Sequence, residues 1–452
     1  MCIYRNILCG LVVWAIVAGS LPVWAQQNQT VSIDGLIYDL GHPDGDRRKA
    51  SAKLLGQHKA VRAVPGLIEL TDESDDLIRM AAVRALVRIN DPLSLDTYIR
   101  LTQDSKKDIQ AKAIEGIINI YIVEESGFIT GLTKLVETVN PFSDDYNPLM
   151  VESYVPVSQD AKDALAKLLS WHLAGIRKDA AIALGILRAH SALPAIQEAL
   201  ARETRDSVKV ELIRAVYKIG DPLAGQAVIP FIMDPDKKVH DEAIFALGRL
   251  QVAEAAPLLK QLYDSGMKER QKVLGFVPVS GKDDLQKKLL EALAYIGDPS
   301  CREMFLNALA DPRDTYRLYA AEGLASIGDS GDITEVSRQY LREESSKVKL
   351  ALTYALYQLG REEYLIELVD NLARDQAYYY LLKMGEGDVP KLYPYLKKSD
   401  HSIRVRLLEI VGLRGDPSAV PIILEIAESP NPELASAANL ALRRIEGRSA
   451  SD

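Results

Sequence analysis

Few side chains in this sequence are of types that do chemistry, and their spacing does not group them. The six histidines (His42, His58, His172, His190, His240 and His401) share no ligand spacing. A metal site needs such spacing, because two or more ligands must reach one ion from the same helix face or loop. The chain has no His-Glu-x-x-His, no Cys-x-x-Cys and no phosphate-cradling lysine loop. His240-Asp241-Glu242 is the single run of metal-ligand types. Ser158, Ser280 and Cys301 are nucleophile types, but the sequence sets no base beside them. These gaps predict a non-enzymatic chain with no catalytic residue, no metal and no cofactor.

Tyrosine is concentrated instead. Of the 20 tyrosines, 12 lie between Tyr295 and Tyr395, including the run Tyr378-Tyr379-Tyr380. Exposed tyrosine offers rigid area and a hydroxyl, which suits a protein-binding hot spot. Composition narrows the class further. With 48% hydrophobic residues spread evenly over 452, the chain is neither disordered nor a polytopic membrane protein. Its 54 Lys+Arg against 63 Asp+Glu give a net charge of −9, the wrong sign for nucleic acid. Three cysteines are too few for a disulfide scaffold.

The elements that must position these residues are repeated. A pattern D-x(2–4)-V-R-x-x-A-x-x-A-L-x-x-I-G-D recurs, clearest from Ile78, Val208, Leu285, Tyr316, Val348 and Ile403. Weaker copies begin near Arg47, Ile109, Ile176, Val239, Ala373 and Leu434, about twelve units in all. Apolar positions 0, 4, 7, 8 and 11 fall on one stripe at 100° per residue, an amphipathic helix with one buried face. Alanine at positions 4 and 7 lets neighbouring helices approach. Gly-Asp-Pro then stops the helix, and a shorter one follows, as in Ala419-Val420-Pro421-Ile422-Ile423-Leu424. The expected fold is all-α, an α-α superhelix of helical hairpins. In that frame His240 stands where the pattern has arginine, which gives it a structural role, and Cys301 is expected to be a small buried residue.

The repeated A-V-P-x-L-I-x-L and D-x-x-V-R-x-x-A-x-x-A-L-x-x-I-G-D units resemble HEAT repeats, nearest the short bacterial kind named after phycobilisome lyases. The resemblance covers most of residues 44–447. It implies a superhelix with the V-R-x-x-A helix on the concave side, and it implies protein binding rather than catalysis. HEAT-like di-iron hydroxylases need several His-Glu pairs, which this chain lacks. HEAT-like DNA glycosylases need a basic groove, and lyase activity would rest on the repeat's name alone.

Within the V-R helix, position 6 points away from the apolar stripe. From the seventh unit onward it holds Glu291, Glu322, Tyr354, Tyr379 and Glu409, with Tyr357 at position 9 of the Tyr354 unit. Stacked units would set Tyr354 beside Tyr379, flanked by glutamates, on a concave face for a protein or peptide partner of basic character. Two stretches, 122–158 and 264–283, interrupt the array and share an ending, Tyr154-Val155-Pro156-Val157-Ser158 and Phe276-Val277-Pro278-Val279-Ser280. Each reads as an extended loop along the solenoid, and a small-ligand or enzyme site beneath the two loops is the competing expectation.

Residues 1–25 read as a secretory signal peptide. Arg5 precedes an apolar run from Ile7 to Ala18, and Val23-Trp24-Ala25 suits cleavage before Gln26. The run is too short to span a bilayer, so no stable membrane insertion is expected after cleavage, and residues 26–452 form one exported solenoid, periplasmic or extracellular. The polar end from Arg443-Arg444 reads as a terminal cap.

Overall fold

Proline after a left-handed residue both ends one helix and starts the next. In the computed structural model, which describes residues 32–122, 150–152, 154–272 and 280–449, the described residues form helices and connecting turns and no strand. The long helix of each unit is numbered here in chain order. These are α1 (Gly45–Gln57), α2 (Asp76–Ile89), α3 (Lys107–Tyr121), α4 (Ala174–Ile186), α5 (Asp206–Ile219) and α6 (Lys237–Arg249). They continue with α7 (Ser280–Ile296), α8 (Asp314–Ile327), α9 (Ser346–Gln358), α10 (Asp375–Leu382), α11 (His401–Arg414) and α12 (Pro432–Ser449).

The stop signal works through two residues. Gly220, Gly297 and Gly328 take φ of +84°, +67° and +72°, and Asn90 does the same with φ +57°. The aspartate that follows accepts from the backbone two residues on, Asp91 from Leu93 at 2.9 Å and Asp221 from Leu223 at 2.9 Å. It therefore caps the next short turn as well as closing the last helix. Gly415 departs from this rule, with an extended φ of −72°, and its carbonyl accepts from Arg448. Pro65, Pro194 and Pro421 open the outer helices Val64–Leu70, Leu193–Arg202 and Val420–Ala427, where a missing N–H costs nothing.

The apolar stripe is buried as its period requires. In α5, Val208, Leu212, Ala215, Val216 and Ile219 are each at most 1% exposed, and each leucine-sized side chain contributes roughly 2 kcal/mol of burial. Every long helix packs on the next, from α1 to α12, in an unbroken stack. Small residues set the spacing: a Cβ on Gly56 would meet the Cα of Ala85 at 2.8 Å, and one on Gly248 that of Ala292 at 2.7 Å. The V-R arginine is a staple between units. Arg79 donates to Asp104 at 3.1 Å and to the carbonyls of Glu73 and Ser74. Arg177 with Glu203 and Arg317 with Glu343 repeat the arrangement. His240 in this slot gives a ring nitrogen to the Ile232 carbonyl, the structural role expected of it, and Cys301 is fully buried.

Two expectations change. The stretch 264–283 is not a loop over most of its described length: the helix Ala256–Lys272 runs into it and α7 starts at Ser280. Its pentad residues 276–279 lie outside the described residues, as do 123–149 of the first interruption. The first pentad is a loop packed on the array, as expected, and the segment that holds it reaches distant elements. Val151 donates to the Ile186 carbonyl at 2.8 Å, Ser158 donates to the Tyr121 hydroxyl at 3.1 Å, and Arg444 reaches Glu152 at 3.1 Å. The segment straps the end of α12 to the middle of the chain. Arg444 is accordingly 2% exposed, so this part of the carboxyl end is a buried contact and not a polar cap.

Candidate functional site

Position 6 of the twelve units forms one row down the inner face, and the row changes character along its length. Lys53, Arg84 and Glu115 are exposed and Ile182 is half-buried. From the fifth unit the same position holds Arg214, Phe245, Glu291, Glu322 and Tyr354, all buried. The cause is a contact between helices four units apart. Arg249, at the end of α6, donates to the hydroxyls of both Tyr295 in α7 and Tyr379 in α10. Two faces that far apart along a solenoid can touch only across the inside of a tight superhelical turn.

A cluster of aromatic and charged groups fills that inside. The Arg249 guanidinium lies 3.9 Å from the Tyr295 ring centroid and 5.2 Å from that of Tyr379. Lys383 Nζ sits 3.6 Å from the Tyr295 centroid, and Tyr295 meets Tyr379 edge-on at 5.9 Å. Cation–π contacts of this kind gain strength where water is excluded. Tyr354 stacks on Tyr380 at 4.4 Å and 7°. The Tyr380 hydroxyl donates to Glu322 at 2.7 Å and accepts from Gln376 at 2.7 Å. Glu291 faces Arg249 at 3.7 Å, while its other oxygen has no hydrogen-bond partner among the described residues.

Burial dominates the electrostatics. It pushes the Glu291 carboxyl up to about 7, against the pull of Arg249 and with the help of Glu322. It pushes the Lys383 ammonium down to about 7, against Glu322. Glu322 is raised for the same reason. Two cations and two carboxylates thus share one desolvated space. Among the described residues no group of three or more His, Cys, Asp or Glu could hold a metal ion.

The other end of the inner face is open. A trough of about 500 Å³ runs between α1, α2 and the start of α3, and a second of about 420 Å³ adjoins it across α3 to α4. Both are lined by Met80, Arg84 and Asp108. Leu77, 62% exposed, forms part of the apolar floor.

Family models match three stretches of the array. A model described as HEAT repeats matches residues 33–118, and one described as PBS lyase HEAT-like repeat matches 176–202 and 239–265. The matched segments carry HEAT repeats. No curated protein matches it by sequence. Among solved structures, an engineered protein is similar over 92% of this chain and 98% of its own, at 19% identity and a TM-score of 0.42. Importin beta is similar over 93% of this chain and 63% of its own, at 14% identity and a TM-score of 0.43. Neither adds to what the chain's own helices show.

Within the array, the tyrosine patch read from the sequence is not an exposed surface. Tyr354 and Tyr357 are each 4% exposed, Glu291 is 4% and Glu322 7%. Tyr354 and Tyr379 do lie in one cluster, but Tyr380 stands against Tyr354, and Tyr379 turns to Tyr295. Tyr357 is set apart, 6.0 Å from Lys391. Glu409 belongs to a third place, half-buried, and burial raises it to about 7 against Arg444 and Arg406. The glutamates that suggested a basic partner are turned inward to the chain's own groups. Sequence reasoning missed Arg249, Tyr295 and Lys383. All three stand at position 10 of their units, one helical turn beyond position 6, and that row carries the signal. It also missed Lys53 and Arg84, because the position 6 row was followed only from the seventh unit.

Proposed function

We propose that this chain is an exported, non-enzymatic scaffold that holds a partner protein across the open inner face of its first four HEAT units. One observation supports the placement: the same inner row is exposed at Lys53, Arg84 and Glu115 and half-buried at Ile182, and it is covered by the chain's own side chains from Arg214 to Tyr354. A solenoid fixes a long surface in advance, so little entropy is lost when a partner docks on the part left free. Export is favoured by the Ile7–Ala18 apolar run and the Val23-Trp24-Ala25 cleavage motif. Among the described residues no helix is long and apolar enough to cross a membrane.

Site-specific photo-crosslinking tests the reading. A photoreactive residue replaces Met80 in the trough, or Leu341 on an outer helix as control, in the full chain expressed in its own cells. The reading expects one discrete protein adduct at the Met80 position and none at Leu341, with the chain recovered from the envelope or medium. Equal adducts at both positions, or none at Met80, would contradict it.

A further inference from the structure

The open trough has a charge opposite to that of the chain that carries it. The larger part is lined by five cations, Lys49, Lys53, Arg84, Arg88 and Lys106, against two carboxylates, Asp76 and Asp108. The whole protein carries −9. Two of the cations are held by neighbours: Lys49 pairs with Asp46 at 2.7 Å and Lys106 with Asp76 at 2.9 Å. Lys53, Arg84 and Arg88 are exposed and have no ion pair or hydrogen bond among the described residues. This contrasts with the arginines of the V-R slot, where Arg79, Arg177 and Arg317 each hold a carboxylate.

Arg84 and Arg88 are one turn apart on α2, and Lys53 projects from the adjacent α1. Between them lies apolar floor from Leu77, Met80 and Ala81. Helices pack roughly 8–10 Å apart, so the inner faces of α1 to α4 span about 25–30 Å. An extended segment at about 3.3 Å per residue would cross that span with roughly eight residues. Free guanidinium groups beside apolar floor match carboxylates interleaved with apolar side chains.

We propose that the occupant of this trough is an acidic, apolar-interleaved segment of a partner protein, bound by Lys53, Arg84 and Arg88 with its apolar side chains on Leu77 and Met80. The proposal rests on the scaffold reading above and adds the chemistry of the partner. The sparse row of three free cations suits a short acidic peptide rather than a nucleic-acid backbone, which demands a longer basic track.

Fluorescence polarisation on the full chain tests it with a labelled octapeptide, Glu-Leu-Asp-Leu-Asp-Leu-Glu-Leu. Controls are the same peptide with every acid replaced by Lys, the same with Gln and Asn, and a single-stranded oligonucleotide. The acidic peptide is expected to bind most tightly and to weaken as salt is raised, because the cations are solvent-exposed. Arg84→Glu combined with Arg88→Glu is expected to weaken it by about tenfold or more, with no change in the circular dichroism spectrum. Equal binding of the Lys peptide, preference for the oligonucleotide, or indifference to the double substitution would overturn the proposal. The photo-crosslink separates the two ideas. An adduct at Met80 that persists in the double variant would leave the scaffold standing and remove the acidic partner. Loss of the adduct in that variant supports both.

Discussion

Lys53, Arg84, Glu115 and Ile182 occupy the same slot of their repeats as Glu291, Glu322, Tyr354 and Tyr379, yet the first group meets solvent and the second meets its own chain. Local structure is the same in both halves: an amphipathic helix, a left-handed stop, and an aspartate cap on the next turn. The difference lies in how the units wind. From α6 to α10 the inner face turns tightly enough for Arg249 to reach Tyr379 across 130 residues of sequence. A solenoid position is therefore a binding position only where curvature leaves it open. The strap from Val151 to Ser158 lies between α3 and α4 of the open half, and Arg444 of α12 is tied to it through Glu152.

The largest way to break the comparison is Arg249→Ala. It leaves Glu291 buried beside Glu322 without its cation, and the expected loss of stability is about 3–5 kcal/mol in urea denaturation. The equivalent change at position 10 in the open half, Arg88→Ala, should cost less than about 0.5 kcal/mol, since the side chain is exposed and unpaired. Equal losses would mean the two halves do not differ as described. Next in size is Tyr380→Phe, which removes the hydroxyl that donates to the buried Glu322 carboxylate. Its expected cost is about 1.5–3 kcal/mol, again by denaturation midpoint.

Gly56→Ala and Gly248→Ala sharpen the comparison from the other side. Each new Cβ would press on the next helix's alanine backbone, at 2.8 and 2.7 Å, so both should destabilise by about 1–3 kcal/mol. Similar values from thermal unfolding would show that unit-to-unit stacking is common to both halves and that only the inner face differs.

A subtler effect is on pH dependence. Glu291 has a folded-state value raised from 4.5 to about 7, so its contribution to stability is present below 4.5 and lost as pH rises through about 7. Lys383 is depressed from 10.5 to about 7, so its contribution is present above 10.5 and lost as pH falls through about 7. The two windows do not overlap. Glu291→Gln should flatten the stability profile between about 4.5 and 7 and, because Glu291 also holds the Lys383 ammonium up, steepen the alkaline side slightly. The flattening is partial, because Glu409 is also raised to about 7. An unchanged acid-side slope in that variant would remove Glu291 from the buried cluster.

Much of the fold was legible because its signals are local. The apolar spacing of V-R-x-x-A-x-x-A-L marks α2, α5 and α8 within one unit, and Asn90-Asp91, Gly220-Asp221 and Gly328-Asp329 mark where those units turn. The direction of position 6 away from the stripe follows from the same arithmetic, while its facing inward was what the resemblance implied. What the sequence does not carry locally is superhelix curvature, which accumulates from small rotations per repeat. Tyr354 and Glu322 look alike as exposed or as buried residues until Arg249 and Lys383 are seen opposite them. Those two cations were readable at position 10, but nothing in their own units says that helices four repeats apart will face each other. The open trough was not read from the sequence, although Lys53, Arg84 and Arg88 stand on the inner rows of the first two units in a chain whose overall charge is of the opposite sign.

Oxidative footprinting of the full chain by hydroxyl radicals, read by mass spectrometry, tests the difference between the two halves most directly. Tyr38, 81% exposed, is an internal standard of a freely reacting ring. Tyr354, Tyr379 and Tyr380 are expected to react far more slowly than Tyr38, while Met80 and Leu77 in the trough oxidise readily. If Tyr354 and Tyr379 instead react as fast as Tyr38, the carboxyl half is open, and the account of a scaffold free only at its first four units is contradicted.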